Sequence, residues 1–380
     1  LGLSAQGSSF KRYDCLAGGQ APSAALMGAP RRLRLVTDWD YTRVYPVAVV
    51  LVSFSDLDFS SEDAADRYNR IFNEAGYNEG KGPGCVADYF LEQSEGWFHP
   101  RFDIHGPVKV GATCKGNNEH GDDVFREAVR IAGDSLKVDF SPYDWDGNGF
   151  AEHVIFIYAG YGGNESANVA NGCIWPNTSS FATVIVGNVK VAYYSGSAEM
   201  WSNNKLCGIG TVCHEYSHAL GLPDLYPTNN GDEYSVVDEW DLMDGGNFVA
   251  AGWCPPNYSI HEKMLLGWAE PEELTDPVAI SEMAPVNQGG KAYMVRTEDN
   301  AEFFLLENRQ WNGWDLLTPG HGLVITRVHY DKAVWNANTV NVRPNHHRYE
   351  LIHADNMDYD DWDAAIGDGS HRINGHSRIL

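Results

Sequence analysis

The sequence predicts an α/β (α+β) unit followed by a mostly β, sandwich-like unit. Two observations carry this. Up to about residue 270, apolar runs of strand character alternate with segments whose apolar residues recur at helical spacing. Beyond that point, short β-type runs are separated by Gly, Asn and Pro turns. The chain has 380 residues, 43% of them hydrophobic, which is enough for a sizeable core and two packed units. The divisions fall at 1–37 for an N-terminal extension, 38–270 for the α/β unit and 271–380 for the β-rich unit.

The extension is rich in Gly, Ala and Ser, carries Arg31, Arg32 and Arg34, and lacks a core of its own. Val47–Phe54 is an apolar run suited to a central buried strand. In the following helix Ala64, Tyr68, Ile71 and Phe72 share a face, Ser60 with Asp63 offers a cap, and Gly76 closes it. Helices are predicted over Val86–Gln93 and near Asp122–Ala132, the latter with Val124, Phe125, Ala128 and Ile131 on one face. His153–Tyr158 reads as a strand, and Val184–Tyr194 as a hairpin turning at Gly187-Asn188. Ala292–Arg296, Phe303–Glu307 and Gly322–Val328 are the β runs of the last unit. The chain ends on a strand-like Ser377–Leu380, so the natural protein is expected to continue.

A net charge of −25 repels nucleic acid and anionic lipid, and both are excluded as expected partners. The longest aliphatic run, Val47–Val52, is far too short to span a bilayer, so no membrane insertion is expected. The opening residues lack a cationic start and an apolar stretch, so no signal peptide is expected within them. Leu1 is not Met, which fits a processed form or a trimmed chain. The seven cysteines form no C-x-x-C pair, so a cysteine zinc knuckle is not expected. An exported protein can pair six of them and leave one over, in a connectivity that spacing does not reveal.

The chemistry concentrates in His214-Glu215-Tyr216-Ser217-His218. Residues four apart on a helix share a face, about 5–6 Å apart at Cβ, so both imidazoles reach one ion. Zinc takes nitrogen ligands at about 2.0–2.1 Å in a tetrahedral set, with one position left to water at a catalytic site. Glu215 would stand beside that position, where it can take a proton from a water whose pKa the metal lowers to about 7. The water oxygen then attacks a peptide carbonyl, and Glu215 hands the proton to the leaving amine. Two histidines are one ligand short. Gly221 permits a sharp left-handed end to the helix, after which Asp224 can fold back to the metal. A distant Glu239 or Glu262 is the alternative third ligand. The plainer reading is a pair of surface histidines on an amphipathic helix.

His214-Glu215-x-x-His218-x-x-Gly221-x-x-Asp224 resembles the long metzincin signature with Asp in place of its third His. Asp238–Gly246 resembles the Met-turn that follows it, with Met243 as a soft apolar floor under the ligands. More specifically, most of residues 45–355 resembles the M6 peptidase family, the immune inhibitor A type. The resemblance rests on Tyr89-Phe90 through Gly96, Tyr143-Asp144 through Gly160, His214 through Asp224, Lys263 to Trp268, Phe303 to Gln310 and Gly320 to Leu323. It implies a metzincin-like zincin catalytic domain over 38–270, a β-rich domain after it, and a secreted or cell-surface zinc endopeptidase. One departure is Gly245, where many metzincins carry a Tyr two residues after the turn Met. Transition-state support must then come from elsewhere, with Tyr258 as the guess.

Asp144, Asp146 and Asn148 alternate in a D-x-D-x-N-G loop whose Gly149 permits the tight turn of a calcium site, and Glu152 can add a carboxylate. Ile155 holds the twelfth position, so this is no full EF-hand, and an Asx-turn loop is the plainer reading. The resemblance implies bound calcium here. Asp358, Asp360, Asp361 and Asp363 read as a solvated loop. In the extension, Asp14 or Cys15 could fill the metal's open position and hold the enzyme latent until cleavage near Arg31-Arg32. A disordered tail or a disulfide at Cys15 is the plainer account. Cys213 points about 100° away from His214 and reads as a core or disulfide cysteine rather than a ligand.

The function read from these residues is zinc-dependent hydrolysis of peptide bonds in proteins, by a monomer, with protein or peptide substrates. The contrasting reading is a calcium-stabilised adhesin or glycan-binding protein carrying a relict peptidase unit. Glu215 argues for activity, since a structural zinc has no use for a general base.

Overall fold

A computed structural model describes residues 39–165, 172–201, 204–229, 235–343 and 345–353. The extension with Asp14 and Cys15, the Asp358–Asp363 cluster and the last residues lie outside them. The predicted strand is β1 (Val44–Ser53), and the predicted first helix is α1 (Ala64–Asn73). Asp63 stands at the α1 N-cap without a side-chain capping bond, so the expected capping signal is not used. Next come α2 (Val86–Gln93), β2 (His99–Lys109), α3 (Asp122–Asp134) and β3 (Val154–Tyr161). The hairpin is longer than its sequence pattern: β4 (Asn177–Val186) and β5 (Val189–Trp201) turn at Gly187-Asn188, where Gly187 has φ +59. A two-residue β6 (Lys205–Leu206) leads into α4 (Ile209–Leu220), the HExxH helix.

The first sheet runs β2-β1-β3-β5-β4, with β6 on β5. β1, β2, β3 and β5 are parallel, and β4 and β6 are antiparallel to β5. β1 is apolar at successive positions because both of its faces are covered. Val47, Val49 and Leu51 join a core cluster with residues of α1, α2 and α4, while Ala48, Val50 and Val52 join a second cluster with residues of α3. The α4 helix therefore lies on the opposite face of the sheet from α3.

The later part begins with α5 (Ile260–Leu265) and continues through β7 (Glu272–Glu273), β8 (Tyr293–Arg296), β9 (Glu302–Arg309), β10 (Gly322–His329), α6 (Lys332–Asn336) and β11 (Tyr349–Leu351). Its five strands form one sheet, ordered β11-β10-β9-β8-β7. The second sheet that a sandwich requires is not among the described residues. The one-sided alternation of β9, with Phe303, Leu305, Glu307 and Arg309 buried, has another cause. Phe303, Leu305, Val328 and Tyr349 belong to the same apolar cluster as Val49 and Tyr216. The second sheet thus rests on the α/β unit itself. Arg309 fixes the junction: it is buried, pairs with Asp315, and donates to the carbonyls of Trp240 (2.8 Å) and Asn257 (3.0 Å).

Candidate metal centre

Every residue of α4 is buried. A helix so enclosed must be packed closely, and Gly210 permits it: a Cβ there would stand 2.1 Å from the Asn247 carbonyl oxygen. The helix ends at Gly221, in the left-handed region at φ +112. That turn carries the chain back over the last turn of α4, as its sequence predicted, and delivers Asp224 to the histidines.

His214 Nε2 and His218 Nε2 each lie 3.2 Å from Asp224 Oδ1. Their rings stand 4.7 Å apart at 83°. Both Nδ1 atoms face backbone carbonyls at 2.8 Å, His214 that of Leu242 and His218 that of Leu222. Those carbonyls claim the Nδ1 protons, which leaves Nε2 as the ring atom whose lone pair can go to a metal ion beside the carboxylate oxygen. Three acceptors then converge in a buried space and call for a cation between them. Ligands at about 2.0–2.1 Å from a tetrahedral centre lie about 3.3–3.4 Å apart, close to the spacing found here. The charges tell the same story. Burial works to raise the Asp224 carboxyl, but His218 and His214 outweigh it and hold it well below the usual carboxylate range. Burial works against a charge on His214, yet its bond to Asp224 and the charge of Glu215 push it up to about 9. A proton or a metal ion must balance this group.

Glu215 is buried on α4 beside the β4–β5 hairpin. Thr178 Oγ1, from β4, lies 2.6 Å from the Glu215 carbonyl oxygen and 3.1 Å from its carboxylate Oε2. Ser195 Oγ lies 3.0 Å from the same carbonyl and 2.9 Å from Thr178 Oγ1, and His153 Nε2 is 2.7 Å from Ser195 Oγ. Burial drives the His153 pKa down to about 3, so its ring is neutral. When Ser195 donates to the Glu215 carbonyl, that oxygen is satisfied without Thr178, whose one proton can then go to the Glu215 carboxylate. None of these three residues stood out in the sequence, because they reach Glu215 only through strand pairing.

Met243 is fully buried. Its turn lies against the centre, with Leu242 O on His214 Nδ1 and Met243 O accepting from Leu225 N at 2.9 Å. Of the alternative third ligands, Glu262 is elsewhere: it accepts from Ser259 and interacts with Asp241. Glu239 lies in a 3-10 turn before Asp241 and is not grouped with the histidines. Tyr258 is buried and bonded to Ser217 Oγ, which donates to the Cys213 carbonyl within α4. Its hydroxyl is engaged with Ser217, and there it braces the helix. Cys213 is buried in the core, and none of the six described cysteines is in a disulfide.

The structure also gathers the acidic loop. Carboxylate oxygens of Asp144, Asp146 and Glu152 lie within 4.8 Å of one another. Burial, with Asp146 and Asp144 beside it, pushes Glu152 up to about 7. Asn148 sits inside the loop, its amide donating to Asp146 Oδ2 at 2.8 Å and its carbonyl accepting from Phe150 N at 2.9 Å. Gly147 and Gly149 hold φ +71 and +85, the conformations that close the turn.

The profile described as immune inhibitor A peptidase M6, catalytic domain, matches residues 46–264. An immune inhibitor A of Bacillus thuringiensis is 28% identical over 199 residues, covering 48% of this chain and 27% of that protein. A pre-pro-metalloprotease PrtV of Vibrio cholerae is 24% identical over 286 residues, covering 62% of this chain and 31% of that protein. The chain thus spans about a third or less of the length of these relatives. Among the described residues, no helix is long and apolar enough to cross a membrane.

Proposed function

Since the chain belongs to the immune inhibitor A (M6) peptidase family, we propose that it is a secreted, monomeric zinc endopeptidase acting on proteins or peptides. The observation that carries this is the convergence of His214 Nε2, His218 Nε2 and Asp224 Oδ1 beside the buried Glu215. These three side chains would hold zinc, which when bound supplies a Lewis acid for the scissile carbonyl and makes a neighbouring water more acidic. The carboxylate of Glu215 accepts the proton of the attacking water and returns it to the leaving amine. Thr178 holds that carboxylate at Oε2. Leu242 and Leu222 fix the two imidazoles by their Nδ1 protons. Met243 is the core residue of a metzincin-like Met-turn. Secretion follows the family resemblance, as zinc does.

In the same reading 38–270 is the catalytic domain and 271–380 a β-rich domain joined to it. Asp144, Asp146, Asn148 and Glu152 form a structural calcium site. Asp14 or Cys15 of the extension restrains the enzyme until cleavage; removal of residues 1–32 should raise activity, and no gain would end that idea.

The central test is casein hydrolysis. The protein should cleave casein, lose the activity to a zinc chelator and regain it with zinc. Glu215→Ala should keep its zinc and lose at least about a hundred-fold in rate. Cleavage by Glu215→Ala at the unmodified rate would remove the mechanism.

A further inference from the structure

Asp224 is met by a side chain from far along the chain. Asn338 stands two residues past the end of α6 and is 4% exposed. Its carbonyl Oδ1 accepts from the Asp224 backbone N–H at 2.7 Å, and its Nδ2 donates to Asp224 Oδ2 at 2.6 Å. The other carboxylate oxygen, Oδ1, is the one that faces both Nε2 atoms.

The fit is specific to asparagine. A donor and an acceptor are needed side by side at this reach, and Asn offers both. Its backbone there is left-handed, φ +57, a conformation Asn tolerates better than most residues. An Asp would set a second carboxylate against Asp224 Oδ2, and an Ala would remove both bonds to Asp224. The surrounding contacts extend the grip. The Asn338 carbonyl accepts from Thr228 Oγ1 at 2.7 Å, and Asn341 Nδ2 donates to Leu225 O at 2.7 Å. The histidines are oriented by carbonyls of their own neighbourhood, whereas the carboxylate is oriented by residues beyond 264, where the catalytic-domain match ends.

We propose that Asn338 is the positioning residue for the third metal ligand, fixing Asp224 so that one oxygen alone is presented to the ion. The inference rests on the zinc reading above. By this account the segment between β10 and β11 completes the metal centre.

The test is zinc affinity, measured on the whole chain by competition with a chromophoric chelator, with the absorption spectrum of the cobalt-substituted protein beside it. Asn338→Asp and Asn338→Ser should weaken zinc by about 10–100-fold and change the cobalt spectrum. Asn341→Ala cuts the grip at Leu225 without touching Asp224; it should lower the melting temperature and leave both metal readouts unchanged. Unaltered zinc affinity and spectrum in a folded Asn338→Asp or Asn338→Ser would overturn the proposal. Equal loss of affinity in Asn341→Ala would also overturn it, by reducing Asn338 to general support of the loop. If Asp224→Ala binds zinc as tightly as the unmodified chain, the metal centre itself is wrong and the assignment falls with it.

Discussion

Asp241 and Glu262 meet carboxyl to carboxyl in the interior, next to the turn that orients His214. Asp241 Oδ1 accepts from Met243 N at 2.8 Å, and Glu262 Oε2 accepts from Ser259 N at 2.8 Å. Glu262 Oε1 meets no N–H or O–H donor, so a proton shared with Asp241 is its remaining partner. Arg309 is the cation nearby, and it is already paired with Asp315.

This pair predicts a pH dependence. Burial raises both carboxyls, Asp241 to about 6 and Glu262 well above its usual range, with Asp241 adding to the second and Asp244 to the first. Groups raised in the folded state contribute stability that is fully present below the unfolded carboxylate pKa, about 4, and is lost as pH rises through the folded values. The pair therefore weakens the fold as pH climbs past about 6. Glu262→Gln keeps a donor to Asp241 without the second charge. Its melting temperature should gain on the unmodified protein by a few degrees at pH 8 relative to pH 5; parallel curves would refute the shared proton.

Thr178 predicts a catalytic effect without a metal effect. Its hydroxyl reaches the Glu215 carboxylate at 3.1 Å. Thr178→Val keeps the shape and removes the donor, so kcat should fall about 10–100-fold while KM and zinc content hold, since a bond to a charged group is worth about 1.5–3 kcal/mol. Thr178→Ser should recover most of the rate. Loss of zinc in the Val variant would show that the hydroxyl serves the fold instead.

The acidic loop predicts a calcium effect on stability. Calcium at a hundred times its dissociation constant should stabilise the protein by about 2.7 kcal/mol, seen as a melting shift of several degrees. Asp146→Asn and Glu152→Gln should each remove most of the shift. A shift that survives in both variants would place the calcium elsewhere.

Gly221 predicts a backbone effect. At φ +112 any side chain is strained, and Gly221→Ala should cost about 1–2 kcal/mol in chemical unfolding. Because Leu222 and Asp224 follow directly, zinc should bind more weakly as well. An Ala variant of full stability would mean that the turn relaxes without harm to the helix end.

The clustering of His214, His218 and Asp224 was legible because all three lie within one helix and its closing turn. HExxH spacing, Gly221 and Asp224 occupy eleven consecutive positions, and the helical repeat alone brings the histidines together. The same locality made α2 readable to the residue and α3 to within two, and marked the Gly187-Asn188 turn. β2 was missed because Pro100, Gly106 and Pro107 interrupt its alternation, which an edge strand tolerates. α5 and α6, at six and five residues, are too short to show a period. Asn338, Thr178 and the Asp241–Glu262 pair were invisible for a different reason. Each acts on a partner between 21 and 114 residues away, and no local pattern records such a meeting.

Asn338 stands 114 positions after the aspartate it steadies. A ribosome making this chain releases the HExxH helix and its turn well before that asparagine emerges, and strand β11 follows later still. The unfinished chain thus holds Glu215, both histidines and Asp224 before Asn338 exists to grip that carboxylate.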